Sequence, residues 1–333
     1  MPFSPAFFNS IGTVYFDDAS DIDNYFAKKT GHNFISWFNT LVANRGNWGK
    51  VGLREGMAIS ADVLVQNRFN NLWSNESIQA VFGTGRMTLL QFAALQSIVI
   101  NETGGRLVPL TEAVGRTGHP GIAYAFNKIP GIKKSYNTLP SNKSCLQNFN
   151  DPDYNRAFGK LALADKLRNT NIQLWAGEVY PQQTHPYSTN PLQTGYVLEA
   201  DFFKFRGRGF IQTTGRSNYA KLVSYVMSYA GSDPVITSMK AAWNNLSNNA
   251  DAVASMSTNA NWDDLFQKSN SLIAGRAISV HNESCGRYLQ AINSASQPAA
   301  EKSLYNMGLR ISGGGDYANL FQNRVMQVLS LLA

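Results

Sequence analysis

The sequence predicts a mostly α-helical fold with at most one small β-hairpin, at residues 202–213. Two observations carry this prediction. Apolar residues recur at helical spacing in several segments, and no segment shows the alternation expected of a convincing set of strands. With 333 residues and 44% hydrophobic content, the chain is long enough for one large domain or two modest ones.

The chain is predicted to consist of an N-terminal helical region, residues 1–80, and a larger domain, residues 81–333. Mixed helical patterns at 33–42 and 59–69 indicate that the first region holds short helices joined by loops. No motif in it indicates a role.

The strongest helical signal is TLLQFAALQSIVINETGG, which begins at Thr88. Thr88 with Gln91 fits a capping box, in which the hydroxyl and the amide side chain each bind the other residue's backbone N–H. The following residues are apolar nearly all round, as in a helix buried in a core. The run of about thirteen residues is too short to span a bilayer. Gly104 and Gly105 are expected to end the helix.

Loops and helices are both predicted in the rest of the chain. Residues 115–155 and 180–195 are rich in turn-forming residues and predict loops, whereas 156–180 predicts a helix. Three later helices are predicted from apolar residues at helical spacing: Tyr219, Leu222, Val226 and Tyr229; Leu272, Ile273, Ala277 and Val280; and Leu320, Phe321, Val325, Val328, Leu329 and Leu332.

The net positive charge of the chain indicates which classes of partner it could bind. A net charge of +7 and a pI near 9.3 favour polyanions such as nucleic acid, anionic lipid or an acidic cell wall, and they equally serve simple solubility. Lys and Arg are scattered rather than interleaved with aromatic residues, so we expect no nucleic-acid groove. No stretch reaches the roughly 18 apolar residues of a membrane helix, so we expect no integral membrane segment.

Cysteine and histidine usage predicts neither a metal nor another cofactor. Cys145 and Cys285 are far apart, and no Cys/His spacing fits a metal site. The two cysteines are either free buried thiols or one bridge. The N-terminal residues lack the basic and long apolar regions of a signal peptide. We therefore expect synthesis in the cytoplasm and a separate delivery route for any role outside it.

Glu102 is the first candidate for catalysis. It follows the apolar run at the end of the predicted buried helix, where hydrocarbon disfavours the charged carboxylate and raises its pKa. A proton retained near neutral pH suits a general acid. The alternative is a structural Glu tied to Arg106 or Arg86, but the helix dipole disfavours an anion at a C-terminus.

A second carboxylate could act as the base of a glycoside hydrolase. Glu112 lies ten residues after Glu102, beyond a turn that could bring the chain back across a cleft. From the residues alone, a helix N-terminal charge or a solvated surface residue explains Glu112 better than a catalytic base does. Glu199 and Asp201 are rival candidates for the base.

The stretch FRGRGFIQTTGRSNY, residues 205–219, is the second candidate site. Gly207 and Gly209 allow a sharp turn or a close approach to a ligand. The neighbouring arginines could pair with buried carboxylates, while Gln212, Thr213 and Thr214 offer groups for a sugar or a water. The stretch lacks the glycine spacing of phosphate-binding loops.

Three motifs in this order resemble glycoside hydrolase family 19, a group with a lysozyme-like fold. INETGG resembles the HETTGG-like motif of its chitinases, with Asn101 in place of the usual His. GRGFIQTTGRSNY resembles the family's GRGxIQL[ST] stretch and NY pair, in the form found in phage endolysins and bacterial peptidoglycan hydrolases. ISGGG before FQNRVMQVL resembles the INGG-like turn and Arg-bearing helix. The resemblance covers roughly residues 85–330.

The resemblance implies a two-lobed helical fold with a central cleft, and it assigns the site. Glu102 becomes the general acid and Thr214 the residue that positions the attacking water. The implied substrate-binding residues are Gln212, Asn218, Tyr219, Arg208, Arg324 and Ser312, the last in place of the family's Asn. YAFNKI resembles the chitinase segment that carries the base but offers Ile129, whereas LTEAV resembles the LxEN segment of the endolysin-like branch and favours Glu112.

The activity implied is that of an inverting peptidoglycan hydrolase, which cleaves the β-1,4 link between N-acetylmuramic acid and N-acetylglucosamine without a metal or cofactor. A chitinase on the same scaffold and a non-catalytic cell-wall-binding protein are the alternatives. The partner is peptidoglycan, reached as a phage lysin or as an injected antibacterial effector. The second route implies a cognate immunity protein.

Overall fold

The computed structural model describes residues 3–43, 63–103, 107–111, 205–269, 272–293, 296–312 and 314–333. Of these residues, 72% lie in helices, and the few strands are two residues long. The predicted mostly α-helical class is therefore confirmed. The chain forms two compact units: unit 1 is Met1–Pro109 with Asn270–Ala333, and unit 2 is Leu110–Ser269.

Unit 1 contains nine described α-helices, one π-helical turn and one pair of short strands. The helices are α1 (Pro5–Ile11), α2 (Ala19–Thr30), α3 (Phe34–Trp37), α4 (Val63–Leu72), α5 (Asn75–Phe82), α6 (Leu89–Thr103), and, after unit 2, α11 (Leu272–Ile292), α12 (Gln297–Ser312) and α13 (Gly315–Ser330). The π-helical turn, Phe38–Ala43, continues α3. Strands β1 (Tyr15–Phe16) and β2 (Met87–Thr88) pair antiparallel.

Helix α6 is the centre of unit 1, as its sequence predicts. The Thr88 backbone N–H donates to Gln91 Oε1 at 2.9 Å, and the Gln91 N–H donates to Thr88 Oγ1 at 3.1 Å, which is the predicted capping box. Of the 15 residues of α6, all but Glu102 are buried. Glu102, the second-last residue of α6, therefore has its carboxyl group next to buried apolar residues.

Aromatic side chains of α2, α3 and α4 pack against one face of α6. Phe92 lies edge-on to Phe34, with ring centroids 5.0 Å apart, and contacts Phe26 and Phe69 in similar geometry. Such contacts add about 0.5–1.5 kcal/mol each beyond area burial. Helix α13 also packs against α6, which brings the C-terminal helix to the end that carries Glu102.

Unit 2 contains the strands β3 (Leu110–Thr111) and β4 (Arg208–Gly209) and four helices in its described part. The helices are α7 (Arg216–Ser228), α8 (Pro234–Asn244), α9 (Ala250–Met256) and α10 (Asn259–Lys268). Their core is a cluster of large rings in which Trp262 contacts Tyr219 at 4.7 Å and Trp243 at 5.0 Å. Phe205, the first residue of the segment 205–215, packs against Tyr219 and Trp262 of this cluster.

Most predicted elements in the described residues are confirmed. Helices occupy 34–43 and 63–72, close to the predicted 33–42 and 59–69, and all three later helical patterns form helices. The predicted hairpin is smaller than expected: Arg208 and Thr213 form an isolated bridge, and the strand partner of β4 is β3. The loops predicted at 115–155 and 180–195 and the helix at 156–180 lie outside the described residues.

Residues on both sides of position 80 belong to unit 1. Helices α4 and α5 pack against α11, so the N-terminal residues share a unit with α6 and with the C-terminal helices. The division into an N-terminal helical region, residues 1–80, and a larger domain, residues 81–333, stays a prediction.

Within the residues that the structure describes, no helix has both the length and the apolar character needed to cross a membrane.

Candidate functional site

Glu102 is half-buried in the last turn of α6, and its carboxylate accepts a hydrogen bond from a tyrosine. The Tyr317 hydroxyl on α13 donates to Glu102 Oε1 at 2.9 Å. Burial raises the pKa of Glu102 above its ordinary value of 4.5, and the bond from Tyr317 partly opposes this rise. The predicted direction of the pKa shift and its predicted cause are therefore both found.

The alternative to a catalytic role for Glu102 is a structural ion pair with Arg86 or Arg106. Arg86 instead pairs with Asp17, at 3.2 Å between Nε and Oδ1, and both side chains are more than half exposed. Arg106 lies outside the described residues. The partner that the structure gives Glu102 is thus a neutral hydroxyl group rather than a cation, and a neutral partner leaves the pKa of the carboxyl raised.

Arg324 reaches the same end of α6 from α13. Its side chain is fully buried, and its Nη1 donates to Asn101 Oδ1. Burial lowers the pKa of Arg324 to about 10, so the guanidinium keeps its charge at neutral pH. Arg324 therefore holds the residue beside Glu102 in place. Its predicted contact with substrate stays a prediction.

The segment 205–215 forms a tight turn in unit 2. Arg208 and Thr213 exchange two backbone hydrogen bonds, of 3.1 and 2.8 Å, and the Gly215 N–H donates to Phe205 O at 2.9 Å. Gly209 has a φ of +83°, and a Cβ there would lie 2.7 Å from Phe266 Cδ1. Glycine is needed at this position both for the left-handed backbone and for the close approach.

The side chain of Arg208, a residue of this turn, is fully buried. Its Nε donates to Asp263 Oδ1 at 2.7 Å, its Nη2 to Asn259 Oδ1 at 3.0 Å, and its Nη1 to the Tyr219 hydroxyl at 3.2 Å. The Tyr219 hydroxyl in turn donates to Arg206 O at 2.7 Å. The carboxylate that braces the arginines is therefore Asp263, which the sequence did not identify.

These contacts bear on two of the predicted substrate-binding residues. Arg208 and Tyr219 are 0% exposed and use their polar atoms to hold the turn. Burial raises the pKa of Tyr219, so its hydroxyl stays neutral and can donate. Both side chains position the turn, and direct contact with a substrate stays a prediction for each.

Three other predicted residues, two in the turn and one in the first turn of α7, are half-buried and linked by hydrogen bonds. Asn218 Nδ2 donates to Thr214 O at 2.9 Å, and Thr214 Oγ1 donates to Gln212 O at 2.8 Å. Gln212, at a φ of +51°, donates from Nε2 to the carbonyl groups of Leu110 and Gly209. The turn thus presents amide and hydroxyl oxygens that can accept hydrogen bonds, as sugar recognition requires.

The structure does not describe the side chains of the remaining predicted residues. The three candidates for the base, Glu112, Glu199 and Asp201, lie outside the described residues, as does Cys145. Ser312 is the last residue of α12. Among the described residues, no group of three or more His, Cys, Asp or Glu side chains could hold a metal ion.

Sequence reasoning missed Tyr317, Asn259 and Asp263. Tyr317 lies seven residues before Arg324, two turns along the same helical face, which was an available signal. Asn259 and Asp263 are four residues apart on α10 and face the arginines together. The sequence alone does not show that α10 packs against the turn, so in the sequence neither residue can be told from an ordinary surface residue.

By fold, the chain is a mostly α-helical protein with a half-buried carboxyl group of raised pKa at the end of its central helix. Comparison of the chain with family models, with curated proteins and with solved structures finds no match in any of the three.

Proposed function

We propose that the chain is a peptidoglycan hydrolase, a lysozyme-type glycosidase in which Glu102 is the general acid. One observation carries the proposal: the carboxyl group stands at the end of the buried helix α6, and burial raises its pKa. Protonation of a glycosidic oxygen requires a carboxylic acid that keeps its proton toward neutral pH. The lysozyme-like, two-lobed form of the helical fold belongs to the same proposal.

The reaction begins when Glu102 gives its proton to the oxygen that links two sugars. The bond between that oxygen and the anomeric carbon breaks, and its electron pair stays with the leaving oxygen. A water molecule attacks the opposite face of the sugar and loses a proton to a second carboxylate, which the resemblance places at Glu112. Thr214 positions this water through its hydroxyl group. The anomeric centre is inverted.

Peptidoglycan is favoured as the substrate for two reasons. The TGR-x-NY form of the second motif resembles the endolysin-like branch of family 19. The net charge of +7 attracts an acidic cell wall, an attraction that weakens as salt screens it. The amide and hydroxyl oxygens of Gln212, Thr214 and Asn218 suit the hydroxyl and acetamido groups of an aminosugar.

The test is digestion of purified sacculi with wild-type protein and with Glu102→Gln, followed by mass spectrometry of the released muropeptides. We expect wild-type protein to release new reducing ends, and Glu102→Gln to lower the rate by about 10²–10⁴-fold, the usual contribution of a general acid. Glu76→Gln is the matched control, because Glu76 is an exposed carboxylate of α5 in the same unit.

The outcomes separate the proposal from its rivals. A Glu102→Gln protein that digests sacculi at the wild-type rate refutes the assignment of the acid. Cleavage of chitin oligomers without cleavage of sacculi identifies a chitinase. Sedimentation with sacculi without any new reducing ends identifies a wall-binding protein that lacks activity.

A further inference from the structure

A single hydrogen bond joins the proposed acid to helix α13. The Tyr317 hydroxyl donates to Glu102 Oε1 at 2.9 Å, although the two residues are 215 positions apart in the chain. We propose that Tyr317 is the positioning residue that decides which oxygen of Glu102 carries the transferred proton. This inference rests on the proposed function, because it concerns the proton that the reaction uses.

Tyr317 can serve this role because its hydroxyl keeps its own proton. Burial and the neighbouring Glu102 carboxylate both raise the pKa of Tyr317 well above 10. The hydroxyl proton therefore occupies a lone pair of Oε1 at every pH at which the reaction would run. The acid proton of Glu102 is then held on Oε2, the oxygen that has no bond from Tyr317.

The proton balance of the step follows from this arrangement. The O–H bond at Oε2 breaks as the proton passes to the glycosidic oxygen, and the electron pair stays on the carboxylate. The new negative charge is shared by both oxygens, and the bond from Tyr317 stabilises it because bonds to charged groups are stronger than neutral ones. Water returns a proton to Oε2 before the next cycle.

Close packing against α12 and a hydrogen bond to α6 hold helix α13 beside Glu102. A Cβ on Gly308 of α12 would lie 2.7 Å from Ala318 Cα, so the two helices touch backbone to backbone beside Tyr317. Seven residues after Tyr317, Arg324 donates to Asn101, the neighbour of Glu102. These two contacts, at residues 318 and 324, hold α13 against both α12 and α6.

In the described part of unit 1, the side chains that shift the pKa values of Glu102 and Tyr317 lie on α6 and α13. Glu102 raises the pKa of Tyr317, while Arg324 lowers it through its positive charge and Asn101 through its amide group. The bond from Tyr317 lowers the pKa of Glu102 against the larger effect of burial. Loss of the Tyr317 hydroxyl therefore raises the pKa of Glu102 further.

The test is Tyr317→Phe, with Tyr15→Phe as the matched control because Tyr15 is 51% exposed in the same unit. NMR of protein labelled with ¹³C at the glutamate carboxyl groups, with Glu102 assigned from Glu102→Gln, follows the titration directly. We expect the Glu102 signal of Tyr317→Phe to titrate at higher pH than in wild-type protein, and that of Tyr15→Phe to be unchanged.

Activity on sacculi gives the second readout. We expect kcat of Tyr317→Phe to fall about tenfold to a hundredfold, the factor set by one hydrogen bond to a charged group, with KM unchanged. The alkaline limb of its kcat profile is expected to move to higher pH with the Glu102 pKa. A circular dichroism spectrum identical to that of wild-type protein is the check on folding.

Each result has a defined meaning. A Glu102 signal that titrates at the same pH in both proteins overturns the inference, and so does a rise in KM with kcat unchanged, since Tyr317 would then bind substrate. If wild-type protein cleaves neither sacculi nor chitin oligomers while the Glu102 titration still moves, the proposed function fails and the control of the Glu102 proton by Tyr317 stands.

Discussion

The contact between Gly209 and the ring of Phe266 makes the turn of unit 2 sensitive to a single methyl group. A Cβ at residue 209 would lie 2.7 Å from Cδ1 and 2.8 Å from Cε1 of Phe266. Both atoms belong to a ring that is 3% exposed and packs against Tyr219, at 5.8 Å between ring centroids. The ring has little room to retreat, because buried side chains are closely packed.

Two costs add in Gly209→Ala. The backbone φ of +83° costs an L-residue about 1–2 kcal/mol, and forcing a methyl group into a packed site costs about 1–3 kcal/mol. We therefore expect Gly209→Ala to lower the free energy of unfolding by about 2–5 kcal/mol. Digestion of sacculi is expected to fall with it, since Gln212 and Thr214 lie on the same turn.

Matched glycines separate the two costs in urea unfolding followed by circular dichroism. Gly31 has a φ of +80° and nothing within 4 Å of its Cβ position, so Gly31→Ala carries only the backbone cost, about 1–2 kcal/mol. Gly286 lies inside α11 with equal space and no positive φ, and Gly286→Ala is expected to stabilise by about 0.5–1 kcal/mol.

A second-site change isolates the contact itself. Phe266→Leu shortens the side chain beneath residue 209, so it is expected to cost less in the Gly209→Ala background than in wild-type protein. The reasoning is refuted if Gly209→Ala costs no more than Gly31→Ala and if Phe266→Leu costs the same in both backgrounds.

Two further predictions concern charge. Because the folded-state pKa of Glu102 is raised above 4.5, wild-type stability is lost as pH rises from about 4.5 through that folded pKa. The gain in unfolding free energy from Glu102→Gln should grow over the same range, and equal effects at pH 4 and pH 8 in urea titrations contradict this. Asp263→Asn removes the partner of buried Arg208 and should cost about 2–3 kcal/mol by the same assay, less than a fully buried pair because Asp263 is 35% exposed. Asp264→Asn, whose pair with Lys268 is exposed, should cost less than about 1 kcal/mol, and an equal loss from both substitutions contradicts the role of Asp263.

The helices were predictable from the sequence because their signals are local. The capping box of Thr88 and Gln91 lies within four residues, and the apolar character of α6 is visible in the sequence alone. The raised pKa of Glu102 followed from the same local pattern, since an apolar run next to a carboxylate implies desolvation.

The two-residue strands carried no comparable signal. Strands β3 and β4 join residues 110–111 to residues 208–209, and pairs this short have no room for the alternating pattern that identifies a strand. The sequence predicts a small hairpin within 202–213. The strand partner came from another part of the chain.

The sequence by itself determined the helical class of this protein, the capped central helix and the position of Glu102 at its end. Only the tertiary structure decided which groups meet there: Tyr317 on Glu102, Arg324 on Asn101, and Asp263 on Arg208. The physical reason is the range of the interactions. Helix caps and apolar periodicity act over three or four residues, whereas a hydrogen bond between distant side chains depends on how whole helices pack.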